Sequence, residues 1–377
     1  MMEDKELVSR LVRHAMTRRQ FGRSAVSAAM FAAISAQVGR TGEAHAQELT
    51  GPLNVLAWEG YDDPEIVKGF EKKHGIQLNV KTAANNAAQL DQIRAGAIQF
   101  DVVNPDTVWI EKFAQSGLIL PLDRKDFPNL ENLYEPFKNC DECLVDGKLY
   151  GVLTRWGMNG IVHWRDKISE ADAADANVLW DPKLKNRISI VDWAELYLWM
   201  TGLWLGYEHP EQATGADLDK IVARLIEVKP NLRAIHSETG AVRTDLVNHD
   251  AWAIWGASSE QASIAMKAEG YDVALTIPKQ GGAMWTESLQ IVKGTQHLAA
   301  AKAYLNYMTS PEALVKFAWG RQKIMVTNSK VAELLTPEQV KILNLDQVDQ
   351  WADKLRLNRA PVDEEAWKKA WQQFKAA

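Results

Sequence analysis

The chain has 377 residues, 46% hydrophobic and 24% charged, which is ordinary for globular protein and long enough for about two domains, each with its own core. The formal net charge of −6 argues against a nucleic-acid-binding surface. It would suit a cationic ligand, but most acidic proteins bind none, so the sign alone decides little.

The N-terminus carries Thr17-Arg18-Arg19-Gln20-Phe21, a weakly apolar stretch from Ser24 to Val38, and Ala44-His45-Ala46. This is the pattern of a twin-arginine export signal removed before Gln47. The apolar stretch is too short and alanine-rich to span a bilayer, and no other stretch approaches ~20 uninterrupted apolar residues. Residues 1–46 hold seven Lys/Arg and four Asp/Glu, so their removal leaves a net charge of −9. A soluble periplasmic protein that crosses the membrane already folded is expected.

From residue 53 onward, strands alternate with helices of roughly ten residues, which implies βαβ units and a largely parallel sheet. Residues 53–58 form an apolar strand whose exit carries Trp58, Glu59 and Tyr61. Pro64 opens a helix that runs to His74, with Gly75 as its stop. A strand over 76–82, a helix over 86–95 ended by Gly96, and a strand over 100–104 follow. Asp106 and Thr107 then open a helix over 106–116, as caps or as ligand contacts, and Gly117 ends it. Cys140 and Cys143 are the only cysteines. They lie in an acidic polar loop that would raise a thiol pKa, so a small structural disulfide in an oxidising compartment is favoured over redox or metal chemistry.

The pattern repeats with different content. Residues 149–153 and 159–164 read as strands around Thr154-Arg155-Trp156-Gly157. A strand over 187–191 feeds a long apolar helix over 193–205. Helices over 217–228 and 240–249, a strand over 251–257, a helix over 260–268 and a strand over 271–277 come next. A strand over 288–292 precedes helices over 297–308 and 311–319. The rest is helical and ends in an amphipathic segment from Glu364 to Phe374. Two α/β lobes are predicted, one from residues 50–157 plus 286–331, the other from 158–285 plus 332–377.

Three tryptophans lie within two residues of an acid where a predicted strand runs out: Trp58–Glu59, Asp192–Trp193 and Trp285–Thr286–Glu287. Trp255 also lies near a strand end. Ligands of open α/β sheets bind outside the carboxyl ends of the strands. Indole faces attract cations and carboxylates accept from ammonium groups, so these exits suggest a pocket for an organic cation. Each candidate has a plainer reading. Asp192 and Glu195 have capping-box spacing; Trp255 sits in Ala-Trp-Ala-Ile-Trp-Gly, a buried-strand sequence; a lone strand glutamate such as Glu287 is usually solvated. Gly256 and Ala257 would let a ligand approach the backbone.

At these residues the chain resembles the spermidine/putrescine-binding family of periplasmic solute-binding proteins of ABC importers. The likeness covers residues 50 to about 375, through segments such as Leu53–Tyr61 (LNVLAWEGY), Phe100–Asp106 (FDVVNPD), Trp180–Lys185 (WDPKLK), Asp192–Glu195 (DWAE), Ala253–Ala257 (AIWGA) and Pro278–Leu289 (PKQGGAMWTESL). The resemblance implies a type II periplasmic-binding-protein fold, two α/β lobes closing by a crossover hinge over a ligand cleft. It implies that Trp58, Tyr61, Trp255 and Trp285 line the cleft and that Asp192, Glu195 and Glu287 hold the amines. The implied partners are a small-molecule amine and an inner-membrane ABC permease; the protein would be a monomer with no cofactor. Two departures bear on the ligand: Asp106-Thr107-Val108 replaces the family's Ser-Thr-Tyr, and Arg155 stands where polyamine binders carry an uncharged residue. Arg155 would repel a diamine, pair with Asp106 or hold a ligand carboxylate.

Rival readings keep the same residues. A zwitterion such as γ-aminobutyrate, an aminophosphonate or an opine would use Arg155 or Arg243 for its anionic end. Ferric-ion sites favour paired tyrosine oxygens, and none of the eight tyrosines is adjacent to another. No G-x-S-x-G, H-E-x-x-H or P-loop signature points to an enzyme.

Overall fold

The computed structural model describes residues 49–257 and 259–377. The expected export signal, residues 1–46, lies outside the described residues. Among those described, no helix is long and apolar enough to cross a membrane.

Among the described residues, thirteen strands form two main sheets and a hairpin: β1 (Leu53–Ala57), β2 (Leu78–Thr82), β3 (Val102–Val103), β4 (Leu144–Val145), β5 (Lys148–Leu149), β6 (Val152–Asn159), β7 (Ile161–Trp164), β8 (Ile188–Val191), β9 (Leu232–His236), β10 (Ala253–Trp255), β11 (Val273–Thr276), β12 (Gly282–Ile291) and β13 (Leu355–Leu357). The first sheet runs β13-β12-β3-β1-β2, with β6 also paired to β12; the second runs β11-β7-β10-β8-β9. Both are mixed. Strands β1, β2 and β3 are mutually parallel, as are β8, β9 and β10, whereas β12 runs antiparallel to β3 and β6, and β7 to β10 and β11.

Local chemistry explains the regular elements. Helix Pro64–His74 has Pro64 in its first turn, the Asp63 side chain accepting from Glu65 N–H, and Gly75 in the left-handed region at φ 69°. Helix Asn86–Ala95 is capped by the Asn85 side chain and ends at Gly96, also left-handed. The C-terminal helix Glu364–Ala376 turns Trp367, Ala370, Trp371 and Phe374 inward, an i, i+3, i+4, i+7 stripe.

Three expectations change. Thr154–Gly157 is not a gap between strands, because β6 runs unbroken and buried through it. Strand β12 begins at Gly282 rather than at 288, which puts Trp285 and Glu287 in mid-strand. The tail also divides: Leu343, Leu345, Val348 and Leu355 join the first lobe's core, while Trp367, Trp371 and Phe374 join the second's. The lobes meet where β6 passes into β7 at Gly160, where an added Cβ would stand 2.6 Å from both Thr276 O and Ile277 Cδ1. Cys140 and Cys143 are disulfide-bonded, their Cα atoms 5.2 Å apart.

Candidate functional site

In each sheet, one strand lies between two parallel neighbours reached by crossovers in opposite directions: β1 between β2 and β3, and β8 between β9 and β10. A crevice opens at the carboxyl ends of such strands. Both crevices face the same cavity of about 440 Å³, within the usual size of a small-molecule site. Trp58 and Glu59 enter it from β1, Ala83 and Ala84 from β2, and Asp106, Thr107 and Val108 from β3. From the second sheet come Trp193 and Leu196 after β8, Thr239 after β9, and Ala257, Glu260 and Gln261 after β10. Arg155 and Asn159 of β6 and Trp285, Thr286 and Glu287 of β12 form the floor.

On the first-lobe side a buried ion pair dominates. Arg155 Nε donates to Glu287 Oε2 at 2.9 Å, and Nη2 to Oε1 at 2.9 Å and Oε2 at 2.8 Å. Its Nη1 donates to Gln322 Oε1 at 2.8 Å and to the Glu59 carbonyl at 3.1 Å. The guanidinium lies 4.6 Å from the Tyr61 ring centroid and 5.0 Å from that of Phe317. The Tyr61 hydroxyl donates to Glu287 Oε2 at 3.1 Å and lies 2.6 Å from Thr154 Oγ1. Burial works against the charge on Arg155, but Glu287 and Tyr61 raise its pKa above the usual arginine range. All three guanidinium nitrogens are engaged, so Arg155 pairs with Glu287 rather than with Asp106.

Beside this pair, Asp106 exchanges two hydrogen bonds with the Asn86 amide: Asn86 Nδ2 donates to Oδ2 at 2.7 Å, and Asp106 N–H donates to Asn86 Oδ1 at 2.9 Å. Burial, reinforced by the Glu287 charge, pushes the Asp106 carboxyl up to about 7. Thr107 Oγ1 and Thr286 Oγ1 lie 2.5 Å apart. The Trp285 ring rests on Gly157, where a Cβ would come within 2.3 Å of Cζ2. Only glycine leaves room for the ring there.

The second-lobe side is different. Glu260 is fully buried, and among the described residues neither carboxylate oxygen has a hydrogen-bond partner. Burial pushes its carboxyl up to about 8. The Trp285 indole and the Gln261 backbone N–H lie near enough to favour the charged form, but neither reaches hydrogen-bond geometry.

Of the residues expected in the site, Trp58, Glu59, Asp106, Thr107, Arg155, Trp285 and Glu287 line the cavity together. Four do not. Tyr61 is fully buried behind the ion pair and supports it. Trp255 is core: its ring packs against Tyr197 at 4.8 Å and Trp204 at 4.9 Å. The space beside Gly256, read from the sequence as room for a ligand, is taken by the Tyr197 ring, 2.7 Å from where a Cβ would stand. Asp192 is not a helix cap, since Trp193 occupies that position without a side-chain cap bond. Its carboxylate accepts instead from Trp371 Nε1 at 2.5 Å and Lys375 Nζ at 2.9 Å, on the C-terminal helix. Glu195 stands outside the lining, its carboxyl raised by burial and by Glu364, with a field that reaches Asp106. Arg243 pairs with Glu269 and does not line the cavity.

Sequence reading missed Glu260, Gln261, Asn159, Gln322 and Asn358, all of which line the cavity. For Glu260 the signal was present, because it follows β10 at a strand exit, like the other candidates. Gln322 and Asn358 come from loops far along the chain and carry no local mark.

A family model described as bacterial extracellular solute-binding protein matches residues 65–341. A putrescine/agmatine-binding protein of Pseudomonas aeruginosa is 24% identical over 302 residues, covering 76% of this chain and 82% of that one. A spermidine/putrescine-binding periplasmic protein of Escherichia coli is 26% identical over 281 residues, covering 73% and 77%. Among solved structures, the spermidine/putrescine ABC transporter substrate-binding protein PotD of Streptococcus pneumoniae superposes with a TM-score of 0.71 at 22% identity, covering 87% of this chain and 99% of that one. The architecture is thus the two-lobed type II periplasmic-binding-protein fold.

Proposed function

Because the chain belongs to the bacterial extracellular solute-binding proteins, we propose that it captures an organic amine of the putrescine or spermidine kind between its lobes. The lobes would close on the ligand and present it to an inner-membrane ABC permease. The observation that carries this reading is the excess of acidic over basic side chains in the cavity, each acid able to give up its proton to an arriving amine. Glu59, Asp106, Glu260 and Glu287 face it, against one cation among the described residues, Arg155, which Glu287 already holds. Trp58, Trp193 and Trp285 supply aromatic surface for a cation and its alkyl arm.

The zwitterion alternative needs a free cation for the ligand's anionic end. Arg155 could serve only by giving up its bonds to Glu287, Gln322 or the Glu59 carbonyl. The amine reading therefore leads. It includes export by the twin-arginine route, action as a monomer, and binding without catalysis. The Cys140–Cys143 bridge suits an oxidising compartment.

Calorimetry of the purified protein against putrescine, spermidine, γ-aminobutyrate and 2-aminoethylphosphonate tests it. Saturable heat with a polyamine at micromolar or tighter affinity, about −8 kcal/mol or better, is expected. Heat with the zwitterions alone would replace the amine reading by its rival.

A further inference from the structure

Helix Ser259–Ala268 lies between the two lobes. Ile264 belongs to the first lobe's core, whereas Ala262 and Met266 belong to the second's. Glu260 precedes Ile264 by four residues, one turn away on the same helix face. That position directs its side chain toward the first lobe, and Glu260 lines the cavity. A buried carboxylate with no partner costs free energy, and native proteins rarely keep one without a use. The other acids of the cavity are otherwise accounted for. Glu287 has Arg155 and Tyr61, Asp106 has Asn86, and Glu59 is exposed.

We propose that Glu260 is the principal acceptor for a protonated primary or secondary amine of the ligand, whose alkyl arm lies along the Trp285 indole. This rests on the cavity taking an organic amine, and it names the residue that holds the charge. Two carboxylate oxygens without a partner among the described residues call for N–H donors. A quaternary ammonium has none to give and could use only the aromatic faces. The raised carboxyl of Glu260 agrees with this role, because an arriving ammonium supplies the countercharge that burial withholds.

The test is calorimetry with putrescine and with choline on the purified protein and on Glu260→Gln, with folding checked by thermal melting. Wild-type protein is expected to bind choline at least roughly tenfold more weakly than putrescine. Glu260→Gln should lose roughly 10- to 150-fold in putrescine affinity, the loss of one charge-assisted hydrogen bond, while melting no lower than wild type. A folded Glu260→Gln that keeps wild-type putrescine affinity overturns this inference and leaves the amine reading intact. Equal wild-type affinity for choline and putrescine does the same. Wild-type protein that takes neither putrescine nor spermidine overturns both. Should Glu260→Gln not fold, Glu260→Asp decides, because a carboxylate set back by one methylene must weaken putrescine binding at least about fivefold.

Discussion

Two buried glutamates face one cavity from opposite lobes. Glu287, on the first, shares three short hydrogen bonds with Arg155 and a fourth with Tyr61. Glu260, on the second, has none among the described residues. Residue type and burial are alike, so the difference lies in what each wall has already arranged. The first wall is built in advance: Arg155 is fixed by Glu287, Gln322 and two aromatic rings, and Asp106 by Asn86. The second leaves its acid to be completed. Proximity to a cleft therefore does not tell the two acids apart; the state of their hydrogen bonds does.

The sharpest way to break this contrast is Arg155→Met, which strands Glu287 inside the protein. Removing one partner of a buried pair should cost about 3–5 kcal/mol in urea unfolding, and Arg155→Met combined with Glu287→Leu should recover much of it. Recovery absent from the double variant would mean that the two residues act independently. Next in size is Gly157→Ala. The added methyl must displace the Trp285 ring, which should destabilise by about 1–3 kcal/mol and weaken putrescine binding. A variant with unchanged stability and binding would contradict the close approach of ring and backbone.

The smallest effect concerns pH. Burial raises the carboxyls of Asp106 and Glu260 to about 7 and about 8, well above their unfolded values near about 4. Between those limits the native state holds protons that the unfolded chain has released. Stability of the ligand-free protein from these groups is thus fully present below about pH 4 and is lost as pH rises toward 8. Over the interval from pH 7 to 8, Glu260→Gln should remove up to ~1.4 kcal/mol of that decline, read from melting curves at each pH. A wild-type profile that is flat or rising across this interval would count against protonation of Glu260 in the native state.

Much of the fold was legible because punctuation in the chain is local. Pro64 with Gly75, and Asn85 with Gly96, mark helix ends through backbone chemistry that needs no distant partner. The strand-exit rule likewise picked out Trp58 and Asp106, which line the cavity at strand ends, whereas Trp285 lines it from mid-strand. Errors arose where a partner far along the chain set the outcome. Thr154 and Arg155 look like a polar break, yet they stay in strand because Tyr61 and Glu287 satisfy them inside the protein. Trp255 looked available until Tyr197 and Trp204 closed around it. Asp192 had the spacing of a cap, but the C-terminal helix claims its carboxylate.

Arg155, set between Tyr61 and Phe317 and gripped by Glu287, is itself an alkyl cation lodged in an aromatic and acidic niche. The chain has in effect supplied a permanent tenant for that end of the crevice. A longer polycation gains nothing there, since its additional charge would meet an occupied seat, and short amines with few positive centres should be preferred over extended ones.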